Sequence, residues 1–311
     1  MNELELIARL VPTLPGNEDV VVAAGDDCAV LDLGGPDYVL FKTDAVVEGI
    51  HFTAETPPEK IGRKALARCL SDIAAMAGRP NSALITLALP NHFAPARIDA
   101  IYAGLNTLAA QHGVAIVGGE TTTNPERLLI SIALIGTVAR ERCLRRSGAT
   151  AGDVLFVTGF LGGSIQEKHL DFEPRLAEAR WLAEHFAVSA MIDLSDGLAG
   201  DLRHILKASQ VGAELLARAI PISRAAKLAA RAESSAKPPL LAALTDGEDF
   251  ELLFTLASKD AVWLLDEWKK EFPAVPLACI GRITAEPGLR LRDKDGLRPL
   301  NVHGYRHFEK P

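Results

Sequence analysis

The chain has 311 residues, of which 48% are apolar and 23% charged. At roughly 150 residues per domain this suffices for two packed domains, and it excludes a disordered, collagen-like or low-complexity polypeptide. Lys and Arg number 33 against 40 Asp and Glu, a net charge of −7 with the cations scattered, so the basic patch that a nucleic-acid partner requires is missing.

The chain opens with the acidic Met1-Asn2-Glu3-Leu4-Glu5, and its longest apolar stretch, Leu128 to Ala139, is interrupted by Ser131, Gly136 and Thr137. Neither a signal peptide nor a membrane span is expected, and the reading is a cytoplasmic enzyme. Short β-branched and aliphatic runs at 19–24, 38–43, 83–89 and 128–138 alternate with helical patterns over 58–77 and 95–112, as in an α/β half. The basic stretch Arg140 to Arg146 and the turn-rich 147–153 then break the pattern. We place the domain boundary there, with a first domain of 1–139 and a second of 140–311. The second half is predicted to carry strands over 154–158, 190–194, 250–255 and 278–283, and helices over 174–186, 198–209, 223–233 and 259–271. Residues 234–239 read as a surface loop. The cysteines, Cys28, Cys69, Cys143 and Cys279, lie 41, 74 and 136 residues apart without a CxxC pair and read as reduced core thiols.

Acidic residues recur at strand ends beside glycine: Gly25-Asp26-Asp27, Thr43-Asp44, Gly119-Glu120, Asp193-Leu194-Ser195-Asp196-Gly197 and Asp246-Gly247-Glu248-Asp249. Each alone has a structural reading, Asp26 closing a turn and Ser195 or Asp196 capping the next helix; their number points to a shared site. Asp72 adds to this. Ile61, Ala65, Cys69, Ile73 and Met76 form an apolar helical stripe, and Asp72, eleven residues or about three turns past Ile61, falls on the same face. Its plain partner is Arg68 one turn earlier; the alternative is a metal ion, because a carboxylate on an apolar stripe needs a strong counter-charge.

If Asp27, Asp44, Asp72, Glu120, Asp193 and Asp196 converge, close pairs repel by a few kcal/mol at an effective dielectric of about 20, and divalent cations relieve this. Oxygen ligands without a His or Cys cluster favour Mg2+, the usual escort of a nucleoside triphosphate. There is no GxxxxGK(S/T) loop, no GxGxxG after a strand, no GxSxG, no HExxH, and no HRD or DFG signature. Gly159-Phe160-Leu161-Gly162-Gly163-Ser164 follows a strand and reads either as a source of backbone amides for phosphate or as a tight turn.

In order along the chain, Gly25-Asp26-Asp27-Cys28-Ala29, Thr43-Asp44 with Glu48-Gly49-Ile50-His51-Phe52, Ser71-Asp72-Ile73-Ala74-Ala75-Met76-Ala77-Gly78, Gly118-Gly119-Glu120-Thr121-Thr122, Arg146-Ser147-Gly148-Ala149, Met191-Ile192-Asp193-Leu194-Ser195-Asp196-Gly197-Leu198, Gly247-Glu248-Asp249-Phe250-Glu251-Leu252 and Gly304-Tyr305-Arg306-His307-Phe308 resemble the thiamine-monophosphate kinase family. That family belongs to the superfamily of aminoimidazole ribonucleotide synthetase, selenophosphate synthetase and HypE. The resemblance implies an α/β (α+β) two-domain fold of the PurM type: an N-terminal mixed sheet with helices on one face, a C-terminal α+β domain, and a homodimer whose N-terminal sheets meet. It implies ATP-dependent phosphorylation of thiamine monophosphate to thiamine diphosphate, with several Mg2+ ions bridging carboxylates and phosphates. By the resemblance Asp27, Thr43, Asp44, Asp72, Glu120, Asp193 and Asp196 hold metal. Tyr102, Gly119, Glu120, Arg146 and Ser195 meet ATP, and His51, Glu248 and a late aromatic, Tyr305 or Phe308, meet the thiamine moiety. No residue stands in a nucleophile arrangement, so direct in-line transfer is expected.

Plainer roles stand beside these: core packing for Tyr102, pinning of the C-terminus for Tyr305 or Phe308, a satisfied loop histidine for His51, and a solvated basic run for Arg146. Two positions depart from the family pattern. Glu120 stands where the kinases usually have Asp, and Lys42 where they more often have a small hydroxyl residue; a Lys there neutralises phosphate or displaces a metal. The competing readings are another ATP-dependent synthetase of the superfamily, against which Asp-Leu-Ser-Asp-Gly and Gly-Glu-Asp-Phe-Glu-Leu argue, and a nucleotide-binding paralogue whose cage Glu120 and Lys42 have disabled.

Overall fold

The computed structural model describes residues 2–166, 168–232 and 236–305. The first half runs α1 (Glu3–Leu10), β1 (Val20–Val22), β2 (Ala29–Leu31), β3 (Asp37–Val47), α2 (Pro58–Ala75), β4 (Arg79–Leu89), α3 (Pro95–His112), β5 (Ala115–Thr123) and β6 (Leu129–Ala139). Its strands form a six-stranded mixed sheet in the order β1-β2-β3-β6-β4-β5, in which only β4 and β5, joined through α3, run parallel. The second half runs β7 (Asp153–Thr158), α4 (Leu176–His185), β8 (Val188–Asp193), α5 (Leu198–Ser209), β9 (Gly212–Leu216), α6 (Arg224–Ala232), α7 (Pro239–Thr245), β10 (Leu252–Ala257), α8 (Ala261–Glu271), β11 (Leu277–Thr284), β12 (Gly288–Asp293) and β13 (Gly296–Pro299). These strands order as β13-β12-β9-β11-β7-β10-β8, with β9 and β12 the parallel pair. Among the described residues, no helix is long and apolar enough to cross a membrane.

The helix α2 organises the site. It is buried on nearly every side, with Ile61, Leu66, Leu70 and Ile73 fully covered; each such side chain contributes roughly 1.5 to 3 kcal/mol by leaving water. It crosses α3 at a glycine contact: a Cβ on Gly62 would lie 1.9 Å from the Ile101 carbonyl oxygen, and one on Gly104 would lie 1.8 Å from that of Glu59. Only glycine lets the two backbones approach this closely. The core then continues from the inner face of the first sheet through α2 to Phe156, Met191 and Phe254 of the second. Its opposite face packs on α5 and α7 through Leu198, Leu202, Ala243 and Leu244. A sheet covered on both faces explains the near-continuous apolar strands of the second half.

The predicted strand over 38–43 extends to Val47 because it pairs with β6 residue for residue, from Asp37 with Ala139 to Val47 with Leu129. The loop expected over 234–239 ends in α7, which starts at Pro239; proline is tolerated in a first turn, where its missing N–H has no helical partner. On the first sheet the face away from α2 and α3 leaves Phe41, Leu84, Val117 and Ile135 at 47, 47, 61 and 42% exposure.

Candidate active site

Asp27 lies in the turn before β2, Asp72 in the last turn of α2, and Asp193 at the end of β8. One carboxylate oxygen of each falls within 4.8 Å of the others, and all three residues are buried. The Ser71 hydroxyl donates to Asp193 Oδ2 at 2.6 Å, fastening α2 to the second sheet. Asp27 Oδ1 accepts from Arg146 Nη2 at 2.6 Å, whereas Asp27 Oδ2 is buried with no hydrogen-bond partner. Burial and the Asp27 charge push Asp193 up to about 6. Burial raises Asp72 well above the carboxylate range, with the Asp193, Asp44 and Asp27 charges adding to it against the pull of Lys42. An orphaned, buried carboxylate oxygen among oxygen-only donors fits a hard divalent cation, which would relieve both the repulsion and the missing bond.

A second network adjoins this one, and here every acid has a cation. Of the two partners weighed for Asp72 from sequence, the Arg68 salt bridge does not form. Lys42 Nζ lies 2.8 Å from Asp72 Oδ1, because strand alternation turns Leu40, Lys42 and Asp44 toward α2. Arg68 instead reaches Asp44 through Nε to Oδ2 at 3.0 Å and Nη2 to Oδ1 at 3.2 Å, and Glu248 through Nη1 to Oε1 at 3.1 Å. Burial works to raise Asp44, but Arg68 and Lys42 outweigh it and hold the group below its usual value. Lys64, with a side chain 0% exposed, pairs with Glu248 and also donates to the His51 carbonyl at 2.7 Å. Glu248 is thereby brought down to about 2 against burial, with His169, Lys64 and Arg68 all lowering it. Its backbone has φ of 65°, and that of Phe250 is 49°, a left-handed conformation that costs a residue with a Cβ about 1 kcal/mol or more and persists at functional loops. His51 Nδ1 accepts from the Val47 N–H at 3.0 Å. Burial, then the Arg68 charge, bring its imidazole down to about 4, so it is neutral at pH 7.

Arg146 is no solvated run. Its N–H donates to Asp26 Oδ1 and Oδ2 at 3.3 and 3.2 Å, and its Nε is buried with no hydrogen-bond partner, 3.9 Å from Asp26 Oδ1. The capping expected of Ser195 or Asp196 does not form: the N-cap of α5 is Gly197, with no side-chain cap, and Asp201 in the first turn reaches back to accept from the Asp196 and Gly197 N–H groups at 3.0 Å each. Asp196 contributes its carbonyl to the Tyr305 N–H at 2.8 Å, and the Ser195 carbonyl accepts from the Glu248 N–H at 2.7 Å. Tyr305 is exposed; Phe308 lies outside the described residues. Among the described residues, Thr43, Tyr102, Gly119 and Glu120 are bonded into neither network. The Thr43 hydroxyl lies 3.5 Å from that of Ser131, and Tyr102 packs half-buried against the first core. Glu120 is exposed on β5, accepting from the Thr121 N–H at 3.0 Å. Beside it a Cβ on Gly119 would lie 1.8 Å from the Ile85 carbonyl oxygen, so glycine is required there.

The glycine-rich loop is a tight turn, and the phosphate reading fails there. The Gly162 N–H donates to Asp249 Oδ1 and Oδ2 at 3.1 and 3.0 Å and that of Gly163 to Asp246 at 3.1 Å, so those amides are already taken. Lys64 and His169 were not anticipated. Lys64 carries the same signal as Asp72, a charge on the apolar stripe of α2; His169 has no periodic signal.

The whole arrangement is that of known proteins. Residues 25–138 match the N-terminal domain family of AIR synthase related proteins and residues 124–294 match the C-terminal one. A thiamine-monophosphate kinase of Rhodopirellula baltica is 42% identical over 279 residues, 87% of this chain and 85% of that protein. Among solved structures, AaThiL complexed with AMPPCP and TMP superposes with a TM-score of 0.82 at 29% identity, over 99% of this chain and 97% of that one. The thiamine-monophosphate kinase of Stenotrophomonas maltophilia has a TM-score of 0.74 at 32% identity, over 93 and 96%. With a relative this similar over this much of its length, and with both domains matched, the chain belongs to the thiamine-monophosphate kinase family of the AIR synthase related proteins.

Proposed function

We propose that this chain transfers the γ-phosphoryl group of ATP to thiamine monophosphate, giving thiamine diphosphate, by direct in-line attack assisted by Mg2+. The observation that carries this reading is the Asp27, Asp72 and Asp193 cluster with the unpaired Asp27 Oδ2, in a chain so close to the R. baltica kinase and to the complex with AMPPCP and TMP. Those three carboxylates would hold Mg2+, which when bound supplies positive charge at phosphoryl oxygens. Arg146, fixed on Asp27 and with an Nε–H that makes no hydrogen bond, offers a guanidinium to a phosphate oxygen. Glu248, kept ionised by Lys64 and Arg68, presents a negative charge to the thiazolium of the thiamine moiety, and His51 a neutral imidazole. Cys28 and Cys69 are buried, and burial pushes both thiols well up, so neither supports a covalent phospho-enzyme. Thr43 and Asp196 for metal, Tyr102, Gly119, Glu120 and Ser195 for ATP, and Tyr305 for the thiamine moiety complete the site in this reading, whereas Asp44, expected for metal, is left out because Arg68 and the Ala45 N–H engage both its oxygens.

The working unit in this reading is a homodimer. Phe41 pairs with Ile135, and Leu84 pairs with Ala133 two residues away on β6, so with Val117 they make one uncovered apolar ridge across the first sheet, of the kind a second copy covers. We divide the chain into domains at 139 and 140, between β6 and β7, and the free cysteines suit the reducing cytoplasm. The test is steady-state turnover of thiamine monophosphate, thiamine and an aminoimidazole precursor with ATP, with and without Mg2+. Magnesium-dependent formation of thiamine diphosphate is the expected result; turnover of the aminoimidazole precursor alone would assign the chain to the sister synthetases.

A further inference from the structure

The cage already contains part of its own neutralisation. Both oxygens of Asp44 are engaged, Oδ2 by Arg68 Nε, and Oδ1 by Arg68 Nη2 and by the Ala45 N–H at 2.7 Å. A guanidinium does not lose its proton in a protein, and this one is gripped from the other side by Glu248 at 3.1 Å. A divalent ion approaching Asp44 would therefore meet a fixed positive charge that has nowhere to go. Lys42 repeats this at Asp72. Its ammonium sits 2.8 Å from Oδ1, on the face of β3 that looks at α2. Among the described residues Asp72 accepts its one hydrogen bond, so two of its three N–H donors remain available. An Mg2+ ion binds carboxylate oxygen at about 2.0 to 2.1 Å, so an ion on the same oxygen would stand against the ammonium with no ligand between them.

We propose that Lys42 takes the place of a divalent ion in this site. It occupies Asp72 Oδ1, with Arg68 closing Asp44, and confines metal to Asp27, Asp193 and the other oxygen of Asp72. Its spare N–H groups lie ready for a phosphate oxygen of the nucleotide, as a point charge of the kind lysine supplies to phosphates. The inference rests on the kinase reading, since the cage matters only as the seat of a metal–nucleotide complex. What it adds is that a side chain of this protein does the charge balancing at one position where a carboxylate cage of this size otherwise calls for metal.

The experiment counts Mn2+ bound per chain, from the loss of the free-ion EPR signal, at saturating AMPPCP. Wild type is compared with Lys42→Thr, Lys42→Gln and Lys42→Arg, and the wild-type turnover of thiamine monophosphate is measured in parallel. Thr and Gln remove the charge and should each gain one Mn2+ per chain; Arg keeps it and should bind the wild-type number. A charge-removing variant that unfolds without metal is refolded with Mn2+, and recovery with one extra ion supports the proposal. A wild-type count in the Thr or Gln variant, or an extra ion in the Arg variant, overturns it. An active wild type with those counts defeats this inference alone, whereas a wild type inactive on thiamine monophosphate defeats the kinase reading.

Discussion

Asp193, buried, and Glu248, partly buried, both bond to side chains of α2, yet their protonation is driven in opposite directions. Asp193 has a serine hydroxyl and two crowding carboxylates and is pushed up to about 6. Glu248 has Lys64 and Arg68 and is brought down to about 2. Burial raises both, so it does not separate them; direct ion pairs do, since Glu248 bonds Lys64 and Arg68 whereas Asp193 bonds the neutral Ser71 hydroxyl. In the proposed reading the metal end is marked by Asp193, which among the described residues has no ion pair of its own, and by the orphaned Asp27 Oδ2, although Arg146 and Lys42 partly neutralise Asp27 and Asp72; the fully paired end serves architecture and substrate contact. Chemistry at the first end therefore comes at the expense of stability, and the second end pins the two halves of the chain together.

Substitutions at the two ends should give opposite results. Asp27→Asn or Asp193→Asn should lower kcat/KM for Mg2+-dependent turnover by about a thousandfold or more, roughly 4 kcal/mol of transition-state stabilisation. Asp193→Asn should leave the metal-free melting temperature unchanged or higher, because one buried charge is gone from a crowd, whereas Asp27→Asn should lower it by leaving Arg146 without its partner. Calorimetric melts beside kinetics read both. Glu248→Gln should instead cost about 3 kcal/mol of stability by leaving Lys64 buried and charged without its partner. Urea unfolding measures this, and addition of Lys64→Met to the same chain should recover most of the loss.

The pH dependence follows from the same contrast. Asp193 binds its proton more tightly folded, at about 6, than at its ordinary 3.8. Its contribution to the metal-free protein is therefore complete below about pH 4 and is lost as pH rises through 6. Glu248 does the reverse: its contribution is complete above its ordinary 4.5 and is lost only as pH falls toward 2. Metal-free protein should melt a few degrees higher at pH 5 than at pH 7.5, and Asp193→Asn should flatten that slope. A melting curve insensitive to pH in the wild type would contradict the contrast. The smallest effect is expected at Glu120, exposed and bonded into neither network: Glu120→Asp should keep kcat/KM within about tenfold, or 1.4 kcal/mol, and Glu120→Ala should lose more if its carboxylate meets the metal–nucleotide complex.

Sequence patterns reach different depths in the two networks. Asp72 could be read from helical spacing alone because an acid on an apolar stripe conflicts with its surroundings. Its counter-ion could not, since Lys42 meets it through the register of β3 across the sheet, thirty residues away. Arg68 looked like the natural partner at one turn's distance, but two carboxylates brought by other elements outcompete a single neighbour on the same helix. Lys64 was open to the argument applied to Asp72. The strands β9 and β13, of five and four residues, carry too few residues for a period to emerge, and tertiary pairing defines them. Asp201, in the first turn of α5, reads from sequence as an ordinary helix-start acid, and nothing in the pattern shows that it folds back onto the Asp196 and Gly197 N–H groups.

The central claim is that metal belongs to Asp27, Asp72 and Asp193 and not to Asp44. Crystals grown with Mn2+ and AMPPCP, with anomalous differences collected at the manganese edge, test it most directly. The account predicts a peak within bonding distance of Asp27 Oδ2 and of carboxylate oxygens of Asp72 and Asp193, with Arg68 still paired to Asp44. A peak bonded to Asp44 with Arg68 displaced, and none at Asp27, would contradict it.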